Sequence, residues 1–201
     1  TVFKRYKGKV KYWLTFNEVN NMMINPLVAG GVLTIDNPKD PSDPIGSTTE
    51  KDKWLAYYNI CVANAWTVKL CREIDKDAQV GCMLTCSSVA TYPYDCNPDN
   101  VFGAYNTVRL NNFYFGDAFC LGEIPGYVKR VWREHDCAPE VREDELQLMK
   151  ENTVAFFSFS YYRSTTYDQS VGMDGNTGGL KGRANPFVKE CSPEPWCWPV
   201  D

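Results

Sequence analysis

The sequence predicts an α/β fold, a partial (β/α)8 TIM barrel of parallel strands and covering helices. Three observations predict it. Apolar strand-like runs alternate with longer helix-like ones, which is the order of parallel βα units. The three strand candidates all turn polar at their C-terminal ends, at Asn17-Glu18, Ser87-Ser88 and Ser160-Tyr161-Tyr162. In a (β/α)8 barrel that end is the mouth, where chemistry is assembled from several strands. Finally, both ends of the 201-residue chain look cut, the start inside a helix and the finish inside a loop. We therefore expect residues 1–201 to form one incomplete barrel segment, with no internal repeat.

The elements follow in order. Residues 1–8 finish an amphipathic helix that Gly8 stops, and 10–18 form the first strand, with Tyr12, Trp13, Leu14 and Phe16 as its apolar body. Residues 36–49 are dense in Pro, Asp and Ser, the composition of an exposed excursion. A long helix is predicted over 49–74, capped by Thr48 or Thr49, with acids early and an inward stripe of Leu55, Tyr58, Val62, Ala65 and Leu70. Residues 78–88 read as a second strand, almost continuously apolar, as expected when both faces are covered. Asn97 caps and Pro98 opens a helix over 97–119. Two shorter helices follow at 125–135 and 142–153, then a third strand at 154–164. The Gly/Asn-rich stretch from Thr165 to Phe187 and the last residues, 191–201, read as loop.

Composition narrows the chemistry. A formal charge of −4 and a pI near 5.1 argue against a nucleic-acid partner. No apolar run approaches the roughly 20 residues that span a bilayer, so no membrane partner is expected, and no signal peptide is read at the start. The nine cysteines form no CxxC pairs, and several sit inside apolar runs. That pattern fits buried thiols of a reducing compartment and hence a cytoplasmic location. The single histidine, His135, lies in a charged helix end and is expected to be solvated. Neither a metal nor a cofactor is called for, and acid and base work falls to carboxylates. A glutamate at a strand end is costly to bury without partners or a raised pKa, as a general acid requires. Spacing alone equally allows Glu18 to leave the strand into solvent.

The residues themselves carry more. "TFNE" (15–18) at a strand end resembles the acid/base motif of glycoside hydrolase family 1, and "TFNEVN" is closer still to its 6-phospho-β-glucosidase branch. "VGCML" with "YPY" downstream resembles that branch's fifth strand, "FFSFSYY" (156–162) its sixth, and "WCWPVD" (196–201) its aglycone-side loop. The resemblance implies that Glu18 is the acid/base, that Asn17 bonds the sugar 2-hydroxyl, that Tyr162 holds the nucleophile's carboxylate, and that Trp198 stacks on the leaving group. Trp196 is read as loop packing. The implied substrate is a phosphorylated β-glucoside, such as cellobiose 6-phosphate or an aryl-glucoside phosphate.

A retaining glycosidase needs a second carboxylate about 5–5.5 Å from the first. The family places it in a Glu-Asn-Gly motif on the seventh strand, and that motif is absent here; Glu151-Asn152-Thr153 only ends a helix. The resemblance thus implies a segment running from the fourth strand to just past the sixth, carrying the acid/base but not the nucleophile. A non-catalytic or carbohydrate-binding remnant is the alternative, decided by whether a Glu-Asn-Gly follows downstream. Three strands cannot close a barrel, so barrel-facing Leu14, Phe16, Leu84, Phe157 and Phe159 are expected to drive self-association or to await missing barrel segments.

Overall fold

The structure, a computed structural model, describes residues 1–23, 30, 49–86, 92–161, 164–171, 182–186, 190–191 and 199–200. It divides into two compact units, Thr1–Leu84 with Tyr114–Ser158 and Thr85–Phe113 with Phe159–Asp201.

In the first unit, α1 (Val2–Arg5) leads through a turn at Gly8, whose φ of 70° suits glycine, into β1 (Tyr12–Asn17). Helix α2 (Glu50–Ile74) follows, then β2 (Gln79–Thr85), parallel to β1. After α4 (Tyr114–Cys120), α5 (Gly126–Glu134) and α6 (Glu143–Glu151), the chain enters β4 (Phe156–Ser160). The sheet order is β1-β2-β4. The amide of Ala155 donates to Val80 O at 2.7 Å, which ties the entry of β4 to β2. Three parallel strands with covering helices, with β1 and β4 outermost among the described residues, make this a partial (β/α)8 barrel, as the sequence predicts.

Helix α2 starts where a local signal says it should. Thr49 accepts from the Asp52 amide, and the Asp52 carboxylate accepts from the Thr49 amide, a complete capping box. Its inward face differs from the predicted stripe. Tyr58, Val62 and Ala65 are buried, but Leu55 and Leu70 are exposed, while Trp54, Tyr57, Cys61, Val68 and Cys71 turn inward. Large rings outweigh two leucines in apolar area, so the helix rotates to bury them. Trp54 meets Tyr57, Tyr114 and Trp132 edge-on at centroid distances of 5.4–5.9 Å. Phe115 joins through Tyr114 at 4.9 Å.

The two faces of the sheet are also distinct. Val80 packs with Val68 and Cys71 of α2 and with Phe3 and Trp13, which marks the helix side. On the other side the Phe156 ring occupies the space above Gly81, within 2.5 Å of where a Cβ would stand, and meets Tyr12 at 6.0 Å. Alternation then places Tyr12, Leu14, Gly81, Met83, Phe156 and Ser158 on the barrel face. Leu84 is therefore not barrel-facing as predicted: it shares the helix side with Val80 and is fully buried. Phe157, which lies against Gly116 of α4, is on the helix side too, and Phe159 follows it by alternation. Phe156 supplies the barrel-side ring in their place.

In the second unit, β3 (Tyr92–Pro93) precedes α3 (Pro98–Val108), with Asn97 accepting from the Asp99 amide at 3.0 Å as the predicted cap. The predicted helix over 97–119 is interrupted by a π turn at Arg109–Phe113 before α4 resumes it. Strand β5 (Thr165–Tyr167) pairs parallel to β3 and antiparallel to β6 (Gly182–Ala184). Strands β7 (Glu190–Cys191) and β8 (Pro199–Val200) form a separate antiparallel pair. These short strands correct the expectation of loop over 165–187 and 191–201. Pairs of two or three residues are too brief for alternation to show against Gly, Asn and Pro.

Among the described residues, no helix is long and apolar enough to cross a membrane. Cys61, Cys71, Cys82 and Cys137 are buried, Cys86 and Cys120 half-buried and Cys96 exposed, all as thiols. His135 caps the C-terminus of α5 in solvent, as predicted.

Candidate functional site at the end of the first strand

The site is built at the C-terminal end of β1, and a register change shapes it. Leu14 pairs with Gly81, but the next partner pair is Asn17 with Met83, so β1 advances three residues while β2 advances two. That extra residue is a β-bulge, a device that re-aims side chains at strand ends. Strict alternation would send Asn17 to the helix side with Trp13 and Thr15. The bulge instead sets Asn17 on the barrel face, opposite Met83 and in line with Leu14 and Gly81. Asn17 is exposed there.

Glu18 follows with φ of 48°, one of two non-glycine residues in the left-handed region among those described. A side chain there costs roughly 1–2 kcal/mol, and such strain persists only where surrounding contacts impose it. The contacts are visible. The Glu18 amide donates to Met83 O at 3.1 Å, and its carbonyl accepts from the Asn21 amide at 2.9 Å. Its carboxylate Oε2 accepts from Asn21 Nδ2 at 3.1 Å. The chain then winds into a 3-10 turn, Val19–Met23, that buries Val19, Asn20 and Met22. Tyr57 of α2 donates its hydroxyl to Met22 O at 3.1 Å. Within the bulged stretch, Thr15 donates to buried Asn64 Oδ1 of α2 at 2.8 Å. Glu18 is thus held from both sides, by β2 and by a turn fastened to α2.

This arrangement presents a half-buried carboxylate and an exposed amide side chain at the end of a parallel strand, on rigid backbone. A carboxylate held in that way can give and take a proton at an approaching oxygen, while the amide can bond a neighbouring hydroxyl. Asn21 was not singled out by sequence reasoning; its spacing of three from Glu18, just past an apolar strand, was the available signal. Tyr162 and Trp198, the other predicted site residues, lie outside the described residues, as does Trp196. Glu151 and Asn152 end α6, as predicted, with Asn152 Nδ2 bonded to Leu148 O at 2.9 Å. Asp95, in the second unit, accepts from the Asn97 amide and from Asn100 Nδ2 at 2.7 Å, an anchor for the start of α3.

Comparison with known proteins supports the same fold. The family described as Glycosyl hydrolase family 1 matches residues 1–186. The chain is 34% identical over 203 residues to the aryl-phospho-beta-D-glucosidase BglH of Bacillus subtilis, covering 100% of this chain and 40% of that protein. It is likewise 34% identical to a 6-phospho-beta-glucosidase of Clostridium longisporum, with the same coverage. The chain therefore spans about 40% of the length of these curated relatives. Among solved structures, a family 1 b-glucosidase from Thermotoga maritima superposes with a TM-score of 0.67 at 19% identity, covering 98% of this chain and 39% of that one.

Proposed function

Because the chain belongs to glycosyl hydrolase family 1, we propose that it is the acid/base-bearing segment, fourth to sixth barrel strands, of a retaining 6-phospho-β-glucosidase. The observation that carries the reading is Glu18 at the bulged end of β1, fixed by Met83 O and Asn21, within a chain similar throughout to phospho-β-glucosidases. In this reading Glu18 protonates the glycosidic oxygen as the bond to the anomeric carbon breaks, then deprotonates the water that releases the sugar. Asn17 bonds the sugar 2-hydroxyl, a contact that strengthens as positive charge develops at the ring. Tyr162 orients the nucleophile's carboxylate and Trp198 stacks on the leaving group. The nucleophile and the groups that bind the 6-phosphate belong to the remainder of a full-length protein, which acts on its substrate in the cytoplasm.

The test is hydrolysis of p-nitrophenyl β-glucoside 6-phosphate and of its unphosphorylated counterpart by the full-length protein carrying this chain. Turnover of the phosphorylated substrate in strong preference is the expected result. Preference for the unphosphorylated glucoside would remove the 6-phosphate assignment, and turnover of neither would favour a carbohydrate-binding remnant. The 201-residue chain alone is expected to be inactive, since protonation without covalent capture gives no turnover.

A further inference from the structure

Asn21 is joined to Glu18 twice. Its backbone amide donates to Glu18 O at 2.9 Å, and its side-chain Nδ2 donates to Glu18 Oε2 at 3.1 Å. The left-handed backbone of Glu18, at φ of 48°, opens the turn in which one residue makes both bonds. That turn is fixed from below: Val19, Asn20 and Met22 are buried, and Tyr57 of α2 donates to Met22 O at 3.1 Å. Asn21 therefore offers its side chain to the carboxylate from backbone that is itself held. An ionised carboxylate only accepts, so the amide presents its NH2 group to Oε2. When the carboxyl is protonated, one oxygen carries the hydrogen and the other is a carbonyl, the better acceptor. A donor at Oε2 thus favours carbonyl character there and the hydrogen on Oε1.

We propose that Asn21 is a positioning residue for proton transfer, holding Oε2 as an acceptor so that Oε1 carries the proton to the glycosidic oxygen. The assignment rests on the reading of Glu18 as the acid/base. In the first step the Oε1–H bond breaks and the proton passes to the glycosidic oxygen, which keeps the electron pair of its bond to the anomeric carbon. The nucleophile in the remainder of the full-length protein bonds to that carbon, and Glu18 is left as a carboxylate. In the second step a water gives a proton back to Oε1 while its oxygen bonds to the anomeric carbon and releases the nucleophile. A neutral amide serves both steps, because Nδ2 donates to Oε2 in either form of Glu18 and takes up no proton itself. Asn21 acts only through Glu18.

The test uses the full-length protein carrying this chain, as Asn21→Leu, which keeps the branched shape without a donor, and as Asn21→Asp, which presents acceptors instead. The nitrophenol burst amplitude with p-nitrophenyl β-glucoside 6-phosphate counts the competent sites in each preparation, so a loss of folded protein does not enter the rates. Per competent site, kcat/KM for cellobiose 6-phosphate is expected to fall about tenfold or more in both variants, a part of what a general acid contributes. The rate of the nitrophenol burst is expected to stay near that of the unaltered protein, which a merely structural role of Asn21 would not spare. Adding Asn21→Leu to Glu18→Gln is expected to cost nothing further for cellobiose 6-phosphate, since the two side chains act as one unit. An unchanged rate for cellobiose 6-phosphate in either variant, or an equal loss for both substrates, would overturn the role of Asn21. Glu18→Gln alone tells that failure from failure of the acid reading. A loss confined to cellobiose 6-phosphate there keeps Glu18 as the acid whatever Asn21 does, and an equal loss for both substrates removes the acid and the role of Asn21 with it.

Discussion

The backbone and the side chain of Glu18 make separable contributions to stability. At φ of 48°, glycine would adopt the same backbone without steric cost, whereas alanine would keep the cost and lose the carboxylate's bond to Asn21. Glu18→Gly is therefore expected to be more stable than Glu18→Ala by about 1 kcal/mol, read from denaturant midpoints; equal stability would mean that the strain is not there. Asp75 is the second residue with a measurable signature. The Gly8 amide bonds its carboxylate at 2.8 Å and, with the Asp77 and Ala78 amides and the charge of Lys7, holds its pKa below the usual aspartate value against burial. A depressed carboxylate contributes stability above its unfolded value, about 3.9, that is lost as pH falls through the lower folded value. Asp75→Asn is expected to flatten that acid-side loss in a melting-temperature series against pH, and an unchanged slope would remove Asp75 as its source.

At the scale of elements, two neighbouring glycines provide a matched pair. Gly122, just after α4, has φ of 70°, and a Cβ there would stand 2.5 Å from Met149 O and 2.6 Å from the Lys150 Cα. Gly126, the first residue of α5, has open space around its Cβ position. Gly122→Ala is expected to cost about 2 kcal/mol or more, and Gly126→Ala to be neutral or slightly stabilising. A similar loss for both would mean that α4 does not turn so closely against α6. Elements were legible in the sequence wherever a local signal set them: Thr49 and Asn97 as caps, Gly8 as a stop, and the apolar runs of β1, β2 and β4. The rotation of α2 was not, because choosing Trp54 and Tyr57 over Leu55 and Leu70 depends on rings from α4 and α5. Nor was the bulge. Tyr-Trp-Leu-Thr-Phe-Asn reads as one uninterrupted apolar strand, and only pairing with β2 reveals the extra residue that turns Asn17 toward the barrel face. The position of Glu18 was legible, and its left-handed backbone was not.

For the whole molecule, the question is what a third of a barrel does with the surfaces that closure would cover. Tyr12 and Leu14 on the barrel face are 60% and 50% exposed, and Phe157 on the helix side is 45% exposed. Outer strands β1 and β4 bound the sheet, and sheet edges beside exposed apolar side chains favour association. The isolated chain is expected to run as an oligomer in size-exclusion chromatography with light scattering. A monomer of 22.9 kDa with a cooperative melt would mean that this surface is covered from within the chain.

As the proposed acid, Glu18 gives its proton to the leaving oxygen, and the dependence of rate on the leaving group reads that role. In the full-length protein, Glu18→Gln should slow hydrolysis of cellobiose 6-phosphate severely, because a sugar leaving group departs only when protonated. Glycosylation by p-nitrophenyl β-glucoside 6-phosphate should suffer far less, since nitrophenolate leaves without help. Pre-steady-state release of nitrophenol isolates that step from the hydrolysis that follows. A large loss for cellobiose 6-phosphate with a near-normal nitrophenol burst is the predicted result; an equal loss of the glycosylation step for both substrates would contradict the assignment of Glu18 as the acid.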